Sequence, residues 1–380
     1  MNRESNYIRL SIIWILLSLG CTSPAMGQDK RAESSFTVKL TITNVSLEKK
    51  SFDPEKEQAR IRYRLSEQAM VSVRLYDIDD FLVRGLVADG PASKGYNIVS
   101  WDGRDDAGNY LPPGAYTYVI EAKSLYSKQK ALYDRTDETY GRQLVLRSLS
   151  YDDETGKVEY VLPKAAMLRI RVGIKEGGPL LTTLVDWHPQ EAGRHRYLWD
   201  GNIGPSDLDL RGDPTVEFNL SAYSLSDNSV IIRYTHHPLG NSSKVRRQDV
   251  HKRAGVNPLA PKYLHATHAR TRCREPDFRI ELPGVSEHAD DGTPIVGGAV
   301  PVKIVLSKQD KKFLQDERFE IVFFVDFVFL HEEEEGISPF TYFFDTKGMR
   351  EGRHLLTVNV YSFKDHIGAK TQSICVKKVR

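Results

Sequence analysis

Cysteine is scarce in this chain, which has three cysteines among its 380 residues. No two of them have the short spacing of zinc-binding or haem-attachment motifs, so spacing excludes a structural zinc site and a covalently attached c-type haem. We therefore predict no metal and no cofactor. If Cys21 is removed or acylated, Cys273 and Cys375 remain as a candidate disulfide in a compartment that permits oxidation. Two unpaired buried thiols are the alternative, because sequence separation does not report Cβ geometry.

Long apolar runs of the kind that span a membrane are also missing. The apolar run at the amino terminus, LSIIWILLSL at residues 10–19, follows two arginines and is too short to span as a mature helix. It predicts a signal peptide over residues 1–27. The stretch Ser-Leu-Gly-Cys ending at Cys21 resembles a lipobox, so lipid anchoring at Cys21 stays open as an alternative. We expect an exported protein of the periplasm, cell surface or extracellular space, in contact with a membrane only as an outer-membrane lipoprotein.

No set of residues with usable spacing predicts an active site. Ser/His/Asp, Cys/His and metal-ligand patterns are missing, so we predict that the protein is not an enzyme. Four consecutive glutamates at residues 332–335 do not converge on one point, because adjacent residues of an extended segment face opposite sides. We expect a solvated loop there. His354 is expected to be a turn or packing residue.

Net charge is close to balanced, at +2, but it is unevenly distributed. Residues 233–274 carry ten Lys and Arg against one Asp, a formal charge of +9. Prolines and glycines interrupt this segment, which predicts an exposed linker over residues 236–275. Its candidate partner-binding residues are Arg246, Arg247, Lys252, Arg253, His236 and His237.

Three interpretations of the linker remain open. It docks onto an acidic partner, which is an envelope or extracellular protein or an acidic polymer. It holds a metal or haem through its histidines, although no carboxylate or cysteine ligand accompanies them. It is a solvated tether without a ligand. We expect no nucleic acid partner outside the cytoplasm, and Tyr263 alone offers no stacking platform.

What the sequence does contain is alternation of apolar and charged residues, as in ARIRYRL at residues 59–65, which predicts half-buried strands. The design recurs later in the chain. Tyr63 and Leu65 match Tyr160 and Leu162 at an offset of 97, and a Trp-Asp-Gly triplet recurs with them. The sequence therefore predicts an internal duplication of one β-sandwich unit.

The acidic stretch WDGRDDAGNYLPPGAY, residues 101–116, invites a calcium hypothesis. A calcium loop needs oxygen ligands on alternate positions, but from Asp102 the third position is Arg104, and the second copy loses the acidic run. We predict a strand–turn–strand connection that closes the end of each core. Its structural residues are Trp101, Asp102, Gly103, Gly108 and Gly114 in the first copy, and Trp199, Asp200 and Gly201 in the second.

The first copy, with its W-D-G-x-D-x-x-G turn and G-x-Y-x-Y ending, resembles the immunoglobulin-like domain named after the flagellar hook-capping protein. The second copy keeps the strand signals and the Trp-Asp-Gly triplet but replaces the Gly-x-Tyr ending with Asp213-Pro214-Thr215. The run from Phe344 to Gly368 is similar to the closing hairpin of bacterial Ig-like domains. The resemblance implies an all-β fold of tandem immunoglobulin-like β-sandwiches and implies secretion, but it implies no activity.

We accordingly predict two repeats at residues 36–125 and 140–235, the basic linker at 236–275 and a third Ig-like domain at 276–380. The expected function is that of a non-catalytic scaffold, adhesion or assembly protein outside the cytoplasm. The alternative is carbohydrate binding through the third domain, suggested by its many aromatic residues.

Overall fold

The computed structural model describes residues 39–139, 141–146, 148–203, 208–235, 275–315, 318–363 and 366–378. These residues form mostly β-strands in six sheets, with two short helices. The sheets pair into three sandwiches, here called the first, second and third modules. The all-β, immunoglobulin-like prediction is confirmed.

The first module contains eight strands before residue 134. They are β1 (Ile42–Leu47), β2 (Ser51–Phe52), β3 (Ala59–Leu65), β4 (Ala69–Tyr76), β5 (Leu82–Ala92), β6 (Gly95–Trp101), β7 (Gly114–Ser124) and β8 (Lys130–Tyr133). One sheet has the order β1-β3-β6, and the other contains β7-β4-β5 with β8 beside β7. Alternation in β3 buries Ile61, Tyr63 and Leu65 and exposes the arginines between them, as the sequence predicts.

The second module repeats this arrangement. Its elements are α1 (Thr136–Thr139), β9 (Ser150–Asp152), β10 (Lys157–Leu162), β11 (Ala166–Ile174), β12 (Leu180–Gln190), β13 (Gly193–Leu198) and β14 (Val216–Ser224). Its sheets have the orders β13-β10-β9 and β12-β11-β14. Just as β4 lies between β5 and β7, β11 lies between β12 and β14, and Tyr160 is buried in β10 as Tyr63 is in β3. The duplication therefore extends to strand order.

The strand that follows the second module returns to the first. Strand β15 (Ser229–Ile232) pairs antiparallel with residues 114–117 of β7 and parallel with β2. Strand β8 pairs with residues 120–123 of the same edge, in the same direction. Strands β8 and β15 are thus two halves of one strand, and the second module is inserted between them. The predicted range 140–235 ends in a strand that completes the sheet of the first module.

In the third module, the strand that corresponds to β8 and β15 is continuous. Its elements are β16 (Phe278–Glu281), β17 (Ile295–Val296), β18 (Ala299–Leu306), α2 (Lys308–Gln315), β19 (Phe319–Val325), β20 (Val328–Glu333), β21 (Phe340–Asp345), β22 (Gly352–Ser362) and β23 (Ile367–Val376). Strand β23 pairs with β22 along its whole length, and β17 pairs parallel with its end, as β2 does with β15. Its core is a single cluster rich in Val, Ile, Leu and Phe.

No helix among the described residues is long and apolar enough to cross a membrane.

Candidate functional site

Three of the hydrogen bonds in the tryptophan-ended turn of the first module fix the position of the tryptophan and the start of the turn. Trp101 Nε1 donates to the Arg104 carbonyl at 3.0 Å, and the Arg104 N–H donates to Asp102 Oδ1 at 3.1 Å. The Leu111 N–H donates to the Gly103 carbonyl at 2.9 Å. Gly103 has a φ of 75°, which favours glycine. The turn thus fixes the buried indole at the end of the core.

The second module repeats the same turn with different residues between the fixed points. Trp199 Nε1 donates to the Asn202 carbonyl at 3.1 Å, and the Asn202 N–H donates to Asp200 Oδ1 at 3.0 Å. The Leu210 N–H donates to the Gly201 carbonyl at 3.0 Å. The two tryptophans therefore make the same hydrogen bonds within matching turns, and their structural role stays a prediction.

The remaining aspartates of the first turn bind backbone groups. Asp105 is 2% exposed and its Oδ1 accepts the Asn109 N–H at 2.8 Å. Asp106 Oδ1 accepts the N–H of Gly85 at 3.1 Å. Gly108 has a φ of 84°, as expected for a turn glycine. These contacts are those of a strand–turn–strand connection, and no group of three or more His, Cys, Asp or Glu that could hold a metal occurs among the residues described.

The chain enters and leaves the second module through one pair of adjacent segments, here called the neck (residues 134–139 and 224–229). Asn228 is fully buried, and its Nδ2 donates to the Tyr118 carbonyl at 2.9 Å and to Thr136 Oγ1 at 3.2 Å. Lys50 Nζ donates to the carbonyl of Ser226 at 2.8 Å. Burial lowers the pKa of Lys50 to about 8. The neck is therefore bonded to the first module from both sides.

The residues that directly follow β15 are bonded to the first module as well. The hydroxyl and N–H of Thr235 both donate to Asp53 Oδ2, and they lower the pKa of Asp53 to about 2. Tyr234 Oη donates to the carbonyl of Leu111, in the tryptophan-ended turn, at 2.6 Å. Burial raises the pKa of Tyr234 to about 12.

An apolar contact joins the first and second modules. Ala115 and Ile231 of the first module pack in one buried cluster with Met167, Trp187 and Leu225 of the second. The cluster lies beside the neck, so the two modules are joined by a strand, by hydrogen bonds and by packing.

The second and third modules are joined by a side-chain amide, here called the Asn359 clamp. Asn359, on β22, is fully buried; its Nδ2 donates to the Leu180 carbonyl at 2.7 Å, and its Oδ1 accepts the Leu180 N–H at 2.9 Å. Tyr361 Oη donates to the same Oδ1 at 3.0 Å. The amide therefore satisfies both backbone groups of the residue that begins β12, as a neighbouring strand does.

Several predicted site residues fall outside the described part of the chain. They are Arg246, Arg247, Lys252, Arg253, His236 and His237 of the basic linker, with Cys21, Cys273 and the signal peptide. Cys375 is a half-buried free thiol, and its pairing with Cys273 stays a prediction. Gly114 begins β7 without a positive φ, so its place does not depend on the conformational freedom of glycine.

The structure places His354 in contact with a turn and places part of the glutamate run in a strand. His354 Nδ1 lies 2.6 Å from Asp326 Oδ2, and Nε2 lies 2.8 Å from the Arg350 carbonyl. Burial opposes the charged imidazole, but the hydrogen bonds to Asp326 and Arg350 outweigh burial and raise the pKa of His354. Of the four glutamates, Glu332 and Glu333 end strand β20 rather than lying in a loop.

Sequence reasoning missed Asn228, Asn359 and the return of β15. The segment that forms β15 is apolar, so the sequence predicts a strand there, but it does not predict which sheet this strand joins. The two asparagines carry no local signal that distinguishes them from exposed polar residues.

The first module matches a known protein family. Residues 49–125 match the family model of the FlgD Ig-like domain, which spans β2 to β7 and the first tryptophan-ended turn. No curated protein matches this chain.

Solved structures that align with the chain have low TM-scores. The fibronectin(III)-like modules of Clostridium thermocellum CbhA are 10% identical with a TM-score of 0.21, over 88% of this chain and 94% of that chain. Latent PorU from Porphyromonas gingivalis is 9% identical with a TM-score of 0.19, over 90% and 34%. A Ca2+-stabilized adhesin of an Antarctic bacterium is 10% identical with a TM-score of 0.18, over 90% and 74%. Scores so far below 0.5 carry no argument about the function of this chain.

Proposed function

We propose that this chain is a non-catalytic scaffold or adhesion protein of the bacterial envelope that holds a protein or polyanionic partner outside the cytoplasm. The immunoglobulin-like fold is compatible with such a role. The observation that carries the proposal is the insertion of the second module between β8 and β15. The chain crosses between the first two modules twice, whereas consecutive domains share a single linker.

The module junctions support a role that depends on fixed geometry. The neck, the apolar cluster and the Asn359 clamp together restrict hinge motion that a single flexible linker permits. A scaffold needs this property because its binding surfaces must keep their spacing. Lys50, Asp53 and His354, three of the described residues whose pKa is perturbed, are each bonded to turn or junction residues, which favours structural roles for these three.

Export is part of the proposal and has its own test. Mass spectrometry of the protein from its native host is expected to find either a chain that begins at Gln28 or an acylated chain that begins at Cys21. Replacing Cys21 with Ser should release the protein from the membrane fraction in the second case and change nothing in the first. A full-length chain in the cytoplasm would contradict the proposal.

The partner is tested through the basic linker. Crosslinking and capture of the native protein from its envelope is compared with a variant in which Arg246, Arg247, Lys252 and Arg253 are Gln. A control variant replaces Lys128, Lys130, Lys311 and Lys312, all exposed on the described modules, and so removes the same charge. We expect the linker variant to lose the captured component and the control to retain it. Equal capture by all three proteins would exclude docking through the linker.

Carbohydrate binding by the third module is a second candidate, because aromatic side chains lie exposed on its strands β20 and β21. Phe329 is 57% and Phe343 67% exposed. The two strands belong to different sheets, and the His331 and Tyr342 rings, which stack at 4.3 Å between centroids, lie against the buried Phe323 rather than on the exposed surface. A glycan array probed with the whole chain and with Phe343→Ala tests it. Array binding that requires Phe343 would favour this candidate over the assembly role.

A further inference from the structure

The outer face of sheet β1-β3-β6 combines positive charge with exposed apolar side chains. Strand β3 points Arg60, Arg62 and Arg64 to solvent, because Tyr63 and its alternating neighbours fill the core. The edge strand β6 places Tyr96 opposite Arg64 and Ile98 opposite Arg62. Tyr96 is 54% exposed and Ile98 is 62% exposed. The three arginines with Tyr96 and Ile98 are here called the arginine face.

Two contacts hold Tyr96 against the sheet. Its hydroxyl accepts a hydrogen bond from Asn44 Nδ2, at 3.2 Å, so the side chain reaches from β6 across β3 to β1. The guanidinium carbon of Arg62 lies 4.2 Å from the centre of the Tyr96 ring. Stacking orients a guanidinium while leaving its N–H edge available for two parallel hydrogen bonds to a carboxylate.

The charge of this face is largely unpaired. Arg60 lies 3.7 Å from the carboxylate of Glu48. Within the described ranges no carboxylate lies within 4.0 Å of the guanidinium groups of Arg62 or Arg64. These two side chains are two residues apart on one face, about 7 Å along the strand, so their charges repel each other. An anionic ligand would relieve that repulsion.

The second module shows that the sandwich does not require these arginines. At the offset that aligns Tyr63 with Tyr160, the outward positions of β10 are Lys157, Glu159 and Val161. Glu159 pairs with Arg196 of β13, so a carboxylate lies opposite an arginine where the first module has Ile98 opposite Arg62. The core pattern is kept in both copies, but the outward charge differs. The arginines of β3 are therefore not part of the pattern that the two copies share.

We propose that the arginine face binds an acidic polysaccharide. Carboxylates of the polymer pair with Arg62 and Arg64, and the apolar face of a sugar ring packs on Tyr96 and Ile98. A sugar acid presents both chemistries in each unit, and these five side chains offer both within one strip. The inference rests on the proposed scaffold function, because it names a surface and a ligand class for the polyanionic partner.

Binding of polygalacturonate to the intact chain, measured by titration calorimetry at 150 mM salt, tests the inference. Arg62→Gln combined with Arg64→Gln should weaken binding at least about tenfold, because two charge-assisted contacts are lost. Tyr96→Ala should weaken it about threefold to tenfold. The matched control, Arg194→Gln with Arg196→Gln on the exposed strand β13, removes the same charge from the second module and should leave affinity within about twofold. Equal unfolding midpoints verify that all variants are folded.

Each alternative outcome overturns the inference. An equal loss in the control variant would show nonspecific attraction, and tight binding of poly-L-glutamate at the same face would identify an acidic peptide instead. Full dependence on Arg246, Arg247, Lys252 and Arg253, with no effect of Arg62 and Arg64, would assign the polymer to the linker. That last result would leave the proposed scaffold function standing. A chain that binds no anionic probe and captures no envelope component would remove both.

Discussion

Removing the Asn359 clamp should uncouple the third module from the second. In Asn359→Ala the N–H and carbonyl of Leu180, a half-buried residue, lose the side-chain amide that bonds both of them. Each buried unpaired group costs about 1–3 kcal/mol, and water that enters the space recovers part of this. We therefore expect the contact between the modules to weaken by about 2–4 kcal/mol. Asn359→Asp keeps the shape but cannot donate to the Leu180 carbonyl when ionised, so it should be at least as harmful at neutral pH.

The distribution of tryptophan provides the assay. Trp101, Trp187 and Trp199 lie in the first two modules, the third module has none, and Trp14 lies in the predicted signal peptide. Urea unfolding followed by tryptophan fluorescence thus reports the first two modules, and far-ultraviolet circular dichroism reports all three. In the parent chain the two transitions should coincide. In Asn359→Ala the dichroism transition should acquire an early phase about 1–2 M lower in urea while the fluorescence midpoint stays.

The control for this experiment is Asn219→Ala, which removes an exposed asparagine from β14. It should leave both transitions unchanged. In Asn359→Asp, lowering the pH should partly restore the coupling, because a protonated carboxyl can donate to the carbonyl of Leu180. If both transitions of Asn359→Ala stay together at the parent midpoint, the clamp does not couple the modules and the argument for a rigid junction is wrong.

Three further predictions concern single elements. His354 has a pKa raised above 6.5, so its bond to Asp326 should stabilise the fold fully below pH 6.5 and progressively less as pH rises through the folded-state pKa. The urea midpoint of the parent chain should therefore be higher at pH 5.5 than at pH 9, and this difference should be smaller in His354→Gln. Gly156→Ala should cost at least about 2 kcal/mol in thermal or urea unfolding, because φ is 68° and the new Cβ would lie 2.0 Å from the backbone carbonyl oxygen of Trp199, which cannot move aside as a side chain can; an effect no larger than that of Gly212→Ala, at positive φ but in open space, would contradict this. A fragment of residues 39–133 should be unfolded by circular dichroism, and joining residues 229–235 to it through a short Gly/Ser linker should restore a cooperative transition, since Val230 and Ile232, the two side chains of β15 that are buried in the core of the first module, contribute about 3–6 kcal/mol; a folded fragment without them would refute the split-strand argument.

The sequence was sufficient for features that depend on neighbouring residues. Alternation within β3 and β10 predicts which side chains face the core, since successive residues of a strand face opposite sides. The tryptophan-ended turns were also predictable, because their contacts are local. Asp102 and Asp200 each bond a backbone group two residues away, so each turn is specified within one short stretch of sequence. Matching stretches then indicated matching turns.

Long-range partners were not predictable from such patterns. The segment of β15 looks like a strand whichever sheet it joins. Its partners β7 and β2 lie far earlier in the chain, and no local pattern indicates which of the earlier strands it pairs with. Asn359 occupies an outward position in an alternating strand, where the pattern predicts contact with water. It is buried because another module covers that face, and nothing in the residues around it indicates that module.

The split strand also has a consequence for the order of folding. Ribosomes make a chain from its amino terminus, so the first module is synthesised before the half-strand that closes its sheet, and the whole second module is made in between. Until Ser229–Ile232 emerges, the edge formed by β2 and by the start of β7 stays without its partner. The module nearest the amino terminus is therefore completed after its successor has been synthesised, and a nascent chain halted between the two would present an open edge to chaperones or to another copy of itself.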